Sequence, residues 1–171
     1  VFTAQEGAEQ FSHLVTFTPS RDIHIPYLPR DLVPFGPKGD PSTSAGKVLA
    51  KQRRLNTGLC YLDFARPKMG KVLYVQNLTA LNPYFQATRT TPENAVGGEW
   101  PNLGYLPPAQ PADPTASLAA GQEITLYDTR LVFRFGTASN ETDNAWQFLD
   151  MLAAIYRGMD RPGTEPRDWP E

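Results

Sequence analysis

The sequence predicts a mainly β fold: an antiparallel β-sandwich or barrel with long proline-rich loops and one C-terminal amphipathic helix. Three observations predict this class. Several short segments alternate apolar and polar residues as strands do, one stretch near the end has helical periodicity, and prolines are frequent. The chain has 17 prolines among its 171 residues, against a usual share of about 5%. Because each proline removes a backbone donor and fixes φ, irregular extended backbone must form much of the fold.

A chain of 171 residues lies within the usual size range of one domain and is long enough to bury a hydrophobic core. We predict a single β-rich domain over residues 1–158. Residues 159–171 are polar and interrupted by prolines, which predicts a flexible C-terminal tail.

The first part of the chain predicts strands followed by an arm. Residues 11–25 alternate as strands do, in FSHLVTF and again in RDIHI. In residues 26–41 a proline recurs every three to five positions, and apolar side chains such as Phe35 lie between the prolines. This pattern excludes a helix and is too apolar for a free linker. It predicts an extended arm that lies on a surface, either the chain's own or a partner's, with a turn at 37–40.

The middle of the chain predicts a short helix and then strands. Residues 44–55 (SAGKVLAKQRRL) predict the helix, which Gly46 weakens. Residues 58–64 and 71–89 are rich in β-branched and aromatic residues. They predict two or three strands, with Pro83 marking an edge or a bulge.

A second irregular segment covers residues 90–117 and contains six prolines. Long segments of this kind within a domain are usually functional or disordered, and the aromatic residues in this one argue against disorder. Residues 118–136 then carry the clearest strand pattern, with a turn at Ala120–Gly121 and alternating residues that predict one buried and one wet face.

Residues 140–157 predict the one long helix. Asn140 stands at the N-cap position, Asp143 lies in the first turn where negative charge suits the helix dipole, and Gly158 ends the helix. Apolar residues recur at helical spacing, which predicts a wide stripe that packs on another element. The stripe comprises Trp146, Phe148, Leu149, Leu152, Ile155 and Tyr156.

Composition excludes several classes of partner and location. A net charge of −2 and a pI near 5.7 provide no general field that would attract nucleic acid or an acidic membrane. Cys60 is the only cysteine, which excludes an internal disulfide and predicts a buried, inert thiol. No apolar run approaches the roughly 20 residues of a membrane-spanning helix, and the N-terminus lacks a signal-peptide pattern. We therefore predict a virion or cytoplasmic protein.

Common catalytic signatures are missing from the sequence. GDPSTSAGK comes nearest to a phosphate-binding loop, but Pro41 stands where that pattern needs glycine and Val48 where it needs a hydroxyl. The sequence has no G-x-S-x-G elbow, H-E-x-x-H motif, paired metal-binding cysteines or dinucleotide fingerprint. We predict a protein that is not an enzyme and needs no cofactor.

Two constellations offer alternatives. His13, His24 and Asp22 fall on adjacent strand-like segments, so a small metal-dependent or ligand-binding β-barrel is one hypothesis, against ordinary partly exposed side chains. The other is a basic cluster that, on a helix, would present a face able to contact phosphates or an acidic partner. A solvated face is the alternative for this cluster, because no aromatic residues interleave for base stacking. The cluster comprises Lys47, Lys51, Arg53 and Arg54.

The leading hypothesis is a non-enzymatic structural assembly protein that forms a homo-oligomer or a larger assembly of protein subunits. Large side chains set in proline-stiffened backbone lose little entropy on docking, which suits an interface. The candidate interface residues are Phe35, Trp100, Leu103, Tyr105, Leu106 and Trp169. The alternative is that they fold back over the edge of the domain's own core. A capsid, decoration or head–tail connector protein of a virus or phage would use such contacts.

Overall fold

Eight strands and two α-helices make up the structure, a computed structural model that describes residues 2–4, 10–25, 28–52, 57–66, 68–107, 114–136 and 140–159. In chain order these are β1 Phe2–Ala4, β2 Gln10–Phe17, β3 Ala45–Lys51, β4 Leu59–Arg66, β5 Gly70–Gln76, α1 Asn82–Thr88, β6 Val96–Glu99, β7 Asn102–Tyr105, β8 Ile124–Arg134 and α2 Glu141–Gly158.

Six of these strands form one antiparallel sheet in the order β1-β2-β8-β5-β4-β3. The other two strands, β6 and β7, pair with each other as a separate antiparallel hairpin. The prediction of a mainly β, antiparallel fold is confirmed. Within the described ranges the six-stranded sheet stays open, with β1 and β3 as its outer strands, so a closed barrel is not formed.

The two faces of the sheet carry different layers, because successive side chains of a strand point to opposite faces. Tyr61, Leu73 and Val132 stand opposite one another on β4, β5 and β8, and this row packs against α2. The opposite face of the sheet carries the larger apolar cluster. That cluster joins side chains of β4, β5 and β8 to α1 and to the β6–β7 hairpin.

Within residues 44–55, the described part does not form the predicted short helix. Ala45–Lys51 is the outer strand β3, which pairs with β4, for example Val48 with Leu62. A helix of this length is only marginally stable alone, so pairing with a buried neighbouring strand prevails. Gly46, which weakened the helix prediction, lies against the ring of Trp100, and a Cβ there would come 2.3 Å from that ring.

The segment 71–89 is part strand and part helix. Its strand ends at Gln76, and α1 follows at Asn82–Thr88. Pro83 therefore lies in the first turn of a helix, not at a strand edge or bulge. Proline is tolerated there because the first amide groups of a helix have no intrahelical acceptor.

The described parts of both proline-rich segments pack on the chain's own core. Leu32 bridges to Leu103 on β7, and the amide of Leu103 donates to the carbonyl of Leu32 at 2.9 Å. The arm thus lies along the hairpin, and the hairpin lies on the large sheet. Among the described residues, neither helix is long and apolar enough to cross a bilayer.

Candidate functional site

The exposed face of α2 is the most unusual surface of the described chain. Its helix begins where the sequence predicts, since the side chain of Asn140 accepts a hydrogen bond from the amide of Asp143 at 2.9 Å. Glu141 and Asp143 place negative charge in the first turn, where it interacts favourably with the helix dipole. The result is a defined helix of 18 residues that projects side chains in every direction.

One side of α2 is attached to the sheet. Met151 and Ile155 are buried against the row of Tyr61, Leu73 and Val132. Phe148 adds a tilted ring contact to Tyr61, with ring centroids 5.1 Å apart. Side chains three and four positions apart lie on one face of a helix, so this contact fixes which face of α2 points away from the sheet.

A second side of α2, next to the buried one, is also apolar. Its side chains recur at intervals of three and four residues, which places them in one continuous stripe. We call this stripe the outer face of α2. It comprises Trp146 (68% exposed), Leu149 (52%), Leu152 (38%) and Tyr156 (59%). Met159 (37% exposed) follows the helix in extended backbone and lines the same groove as Tyr156.

A groove of about 460 Å³ runs along the edge of the outer face, between the C-terminal half of α2 and the sheet. Leu59 and Val75, a cross-strand pair on β4 and β5, form the sheet side of the groove. Leu152, Ala153 and Tyr156 are among the residues on its helix side. The apolar surface therefore extends from the helix onto the sheet.

Charged groups lie in the first turn, the middle and the last turn of α2. Arg134 Nε donates to Asp150 Oδ2 at 2.7 Å, which ties the middle of α2 to β8. Exposed Arg157 lies in the last turn of the helix, while Asp143 lies in the first turn. The two ends of α2 thus carry opposite charges.

The structure separates the candidate interface residues into two groups. Phe35 is exposed, as a contact residue must be. Trp100 is half-buried: its ring packs edge-on against Phe64 with centroids 4.9 Å apart, and its Nε1 donates to Ser44 Oγ at 2.9 Å. Trp100 thus covers the outer strand β3.

Leu103 and Tyr105 lie inside the chain's own core and have no exposed surface. This placement matches the alternative in which the segment folds back over the core, so neither side chain can reach a partner while the hairpin stays docked. Leu106 is partly buried. Trp169 lies outside the described residues.

The hypothetical metal site is not assembled. His24 Nδ1 lies 3.1 Å from the carbonyl oxygen of Ala116, and Asp22 Oδ1 accepts from the amide of Ala120. His13 stacks on Tyr127 at a centroid distance of 6.1 Å. Among the described residues, no group of three His, Cys, Asp or Glu side chains could hold a metal ion. The structure holds these three side chains in separate contacts and does not bring them together.

The basic cluster does not form a helical face, because its described members lie on strand β3. Lys51 Nζ forms an ion pair with Glu99 Oε1 at 2.7 Å and donates to the carbonyl of Gly98. Lys47 is exposed. Arg53 and Arg54 lie outside the described residues.

The sequence reasoning missed Arg30 and Asp31, which fasten the proline-rich arm to the core. Arg30 Nη1 donates to the carbonyls of Gly104 at 2.9 Å and Ala95 at 3.2 Å. Asp31 accepts from the amide of Tyr105 through one oxygen and from the hydroxyl of Tyr74 through the other, both at 2.7 Å. No local pattern marks these residues, since their partners lie 43 to 74 positions away.

Burial shifts the pKa values of two groups in this region. It raises the pKa of the Asp31 carboxyl to about 6, although the hydrogen bonds from Tyr74 and Tyr105 act in the opposite direction. Burial also raises the pKa of the Cys60 thiol to about 11. The thiol is buried and stays protonated at neutral pH, as expected of an inert cysteine.

The chain was compared with protein-family models, with curated proteins and with solved structures, and none of them matches it.

Proposed function

We propose that the protein is a non-enzymatic structural assembly protein that contacts other protein subunits through the outer face of α2. The observation that carries this proposal is the stripe of four large apolar side chains exposed along one side of that helix, with Met159 directly after it. Single exposed apolar residues are common on proteins, but a continuous apolar patch marks an interaction site.

The chemistry of the stripe suits a protein partner. Trp146 and Tyr156 stand near its two ends and Leu149 and Leu152 near its middle. Tryptophan and tyrosine are enriched among the residues that dominate binding free energy, because they bury a large area with few rotatable bonds. The helix that carries them is capped and anchored to the sheet, so little order has to be gained on docking.

The proposal extends to the kind of assembly, a virion component such as a capsid, decoration or head–tail connector protein of a virus or phage. Support for this extension comes from the shape of the subunit. Side chains such as Arg30 and Asp31 fasten the two proline-stiffened segments to each other and to the core. A subunit whose irregular segments are fixed in this way presents a rigid contact face to its neighbours.

Site-specific photo-cross-linking in the source organism tests the proposed function. A photoreactive amino acid replaces Ala153, which lines the groove beside the outer face. In the control it replaces Ala50, which is exposed on the outer strand β3. We expect covalent protein adducts from position 153 and few from position 50. Adducts from position 50 alone, or from neither position, would contradict the proposal.

A further inference from the structure

A polar pocket of about 620 Å³ lies between the β6–β7 hairpin and the end of β3. The hairpin packs on the face of the sheet opposite α2, so this pocket is separate from the outer face of α2 and its groove. Small-molecule sites in proteins have volumes of about 300 to 1,000 Å³. Two cationic side chains line the pocket, Arg30 from the proline-rich arm and Lys51 from β3. Its size and its hydrogen-bond donors therefore suit a small anion.

Arg30 holds its guanidinium at this pocket with one edge unused. Its Nη1 donates to the carbonyls of Gly104 and Ala95, which fixes the position of the group. Its Nε and Nη2 form no hydrogen bond with any described residue, and both are accessible to solvent. Gly98 leaves this edge uncovered, since a Cβ there would come 3.0 Å from Arg30 Nε. The Nε–H and Nη2–H groups of an arginine form a fork that matches the two oxygens of a carboxylate.

Lys51 adds a second positive charge, and Glu99 stands next to it. Lys51 Nζ lies 2.7 Å from Glu99 Oε1 and also donates to the carbonyl of Gly98 at 3.1 Å. The Glu99 side chain is 89% exposed, so this ion pair contributes little to stability. The negative charge of Glu99 disfavours a phosphate dianion more than a singly charged carboxylate, because the repulsion grows with the charge of the ligand. The free fork of Arg30 also offers donors for two oxygens and not for three.

Two exposed side-chain amides line the same pocket, Asn94 before the hairpin and Asn102 at the start of β7. Neither side chain forms a hydrogen bond within the described ranges of the chain. An amide group both donates and accepts hydrogen bonds, as a hydroxyl group does. The half-buried Trp100 provides an apolar part of the wall. These groups suit a ligand whose body carries hydroxyl groups on a carbon frame.

We propose that this pocket binds a small hydroxylated monocarboxylate, such as a sugar acid. The carboxylate lies on the free edge of Arg30, and the hydroxyl groups exchange hydrogen bonds with Asn94 and Asn102. The two bonds from Arg30 to backbone carbonyls stay in place, so the site needs no rearrangement to bind. Glu99 repels the ligand and competes with it for Lys51. This inference goes beyond the proposed function and does not depend on it.

Titration of the isotope-labelled full chain with three related sugars tests the class of ligand. Glucuronate carries a carboxylate where glucose carries a hydroxymethyl group, and the third probe is glucose with a phosphate ester at that carbon. At constant ionic strength, we expect glucuronate to give saturable shifts in the NMR signals of Arg30 Nε–H and of the Asn94 and Asn102 amides. The glucose phosphate should bind several-fold more weakly, and glucose should give no such shifts. No shift of Arg30 Nε–H with glucuronate, or equal shifts with glucose or its phosphate, would overturn the inference.

Three charge variants at exposed or partly exposed positions test the site itself. Lys51→Gln removes a positive charge from the pocket, and Lys47→Gln removes one from an exposed position on the same strand, outside the pocket. We expect Lys51→Gln to weaken glucuronate binding several-fold and Lys47→Gln to leave it unchanged. Glu99→Gln removes the competing carboxylate, so it should strengthen binding several-fold. An equal loss in both lysine variants, or binding that is unchanged or weaker in Glu99→Gln, would overturn the inference.

Discussion

Asp31 shows how a single buried residue fastens an irregular segment. Its carboxyl accepts a backbone amide and a tyrosine hydroxyl, and Tyr74, which supplies that hydroxyl, also lies 3.0 Å from Gln76 Oε1. The Tyr74 hydroxyl has one proton and cannot donate to both acceptors. Its bond to Asp31 favours the ionised carboxyl, whereas burial favours the neutral acid, and burial is the larger effect.

The stability of the protein should fall as the pH rises because of Asp31. Burial raises its pKa in the folded state from 3.8 to about 6, so the folded state binds this proton more tightly. The resulting stabilisation is complete below 3.8 and is lost as the pH rises through about 6. A shift of two pKa units corresponds to about 3 kcal/mol.

Asp31→Asn isolates this effect, since asparagine imitates the neutral acid at every pH. We expect the free energy of unfolding of the native protein to fall relative to the variant by about 3 kcal/mol between acid and neutral pH. Urea titrations of both proteins at both pH values measure the difference. If the difference in unfolding free energy between the two proteins does not change with pH, the pKa of the Asp31 carboxyl is not shifted.

The close contact between Gly46 and Trp100 predicts a second effect at this scale. A Cβ added by Gly46→Ala would lie 2.3 Å from the Trp100 ring and 2.5 Å from the Asp63 carbonyl. We expect a loss of about 1 to 3 kcal/mol in unfolding free energy, typical of overpacking. In a Trp100→Ala background the same change should cost less, as a double-mutant cycle would show. Equal costs in both backgrounds would mean that the ring is not the obstacle.

At the scale of elements, the sequence predicts features that depend on neighbouring residues better than features that depend on tertiary contacts. The start of α2 at Asn140 followed from a capping residue and an acidic first turn, and both are present. The sequence predicts that the whole apolar stripe of α2 packs on another element, but only part of it packs on the sheet. Periodicity shows that a helix has apolar faces, but it does not show which of them the sheet covers.

The two errors in assigning secondary structure from the sequence have a common physical cause. Residues 45–51 belong to a segment with helical propensity but pair with β4, and Pro83 lies in the first turn of a helix within a segment rich in strand-forming residues. In both cases tertiary context overrides a weak local preference. Closeness in sequence likewise does not bring His13, His24 and Asp22 together in the structure.

The cap of α2 gives a prediction for the element itself. Asn140→Ala removes the acceptor for the Asp143 amide, so we expect about 1 kcal/mol of destabilisation. Asn140→Ser keeps a hydroxyl acceptor and serves as the control, with a much smaller loss. Circular dichroism and urea unfolding measure both variants. A loss in the serine variant as large as that in the alanine variant would show that the side-chain bond contributes little.

At the scale of the whole molecule, the described parts of the proline-rich segments cover one side of the hydrophobic core. The segment 90–117 includes the hairpin that buries Val96, Leu103 and Tyr105. The sequence indicated correctly that these segments lie on a surface, but it left open whether that surface was the chain's own.

Deleting residues 91–117 should therefore unfold the domain. Each large buried side chain removed costs about 2 to 5 kcal/mol, and total stabilities are about 5 to 15 kcal/mol. We expect the cooperative thermal transition seen by circular dichroism to disappear. A deletion variant that still unfolds cooperatively would show that the hairpin is an independent arm.

The central claim is that the outer face of α2, and not the proline-rich arm, contacts other subunits of the assembly. Sedimentation equilibrium of the native protein, Leu149→Glu and Phe35→Glu tests it most directly, because both variants place a charge at an exposed apolar site. We expect the mass of the native protein and of Phe35→Glu to rise with concentration above the 19.0 kDa of one chain, and Leu149→Glu to stay at 19.0 kDa. A native protein that remains a monomer, or an assembly lost in Phe35→Glu and kept in Leu149→Glu, would contradict the claim.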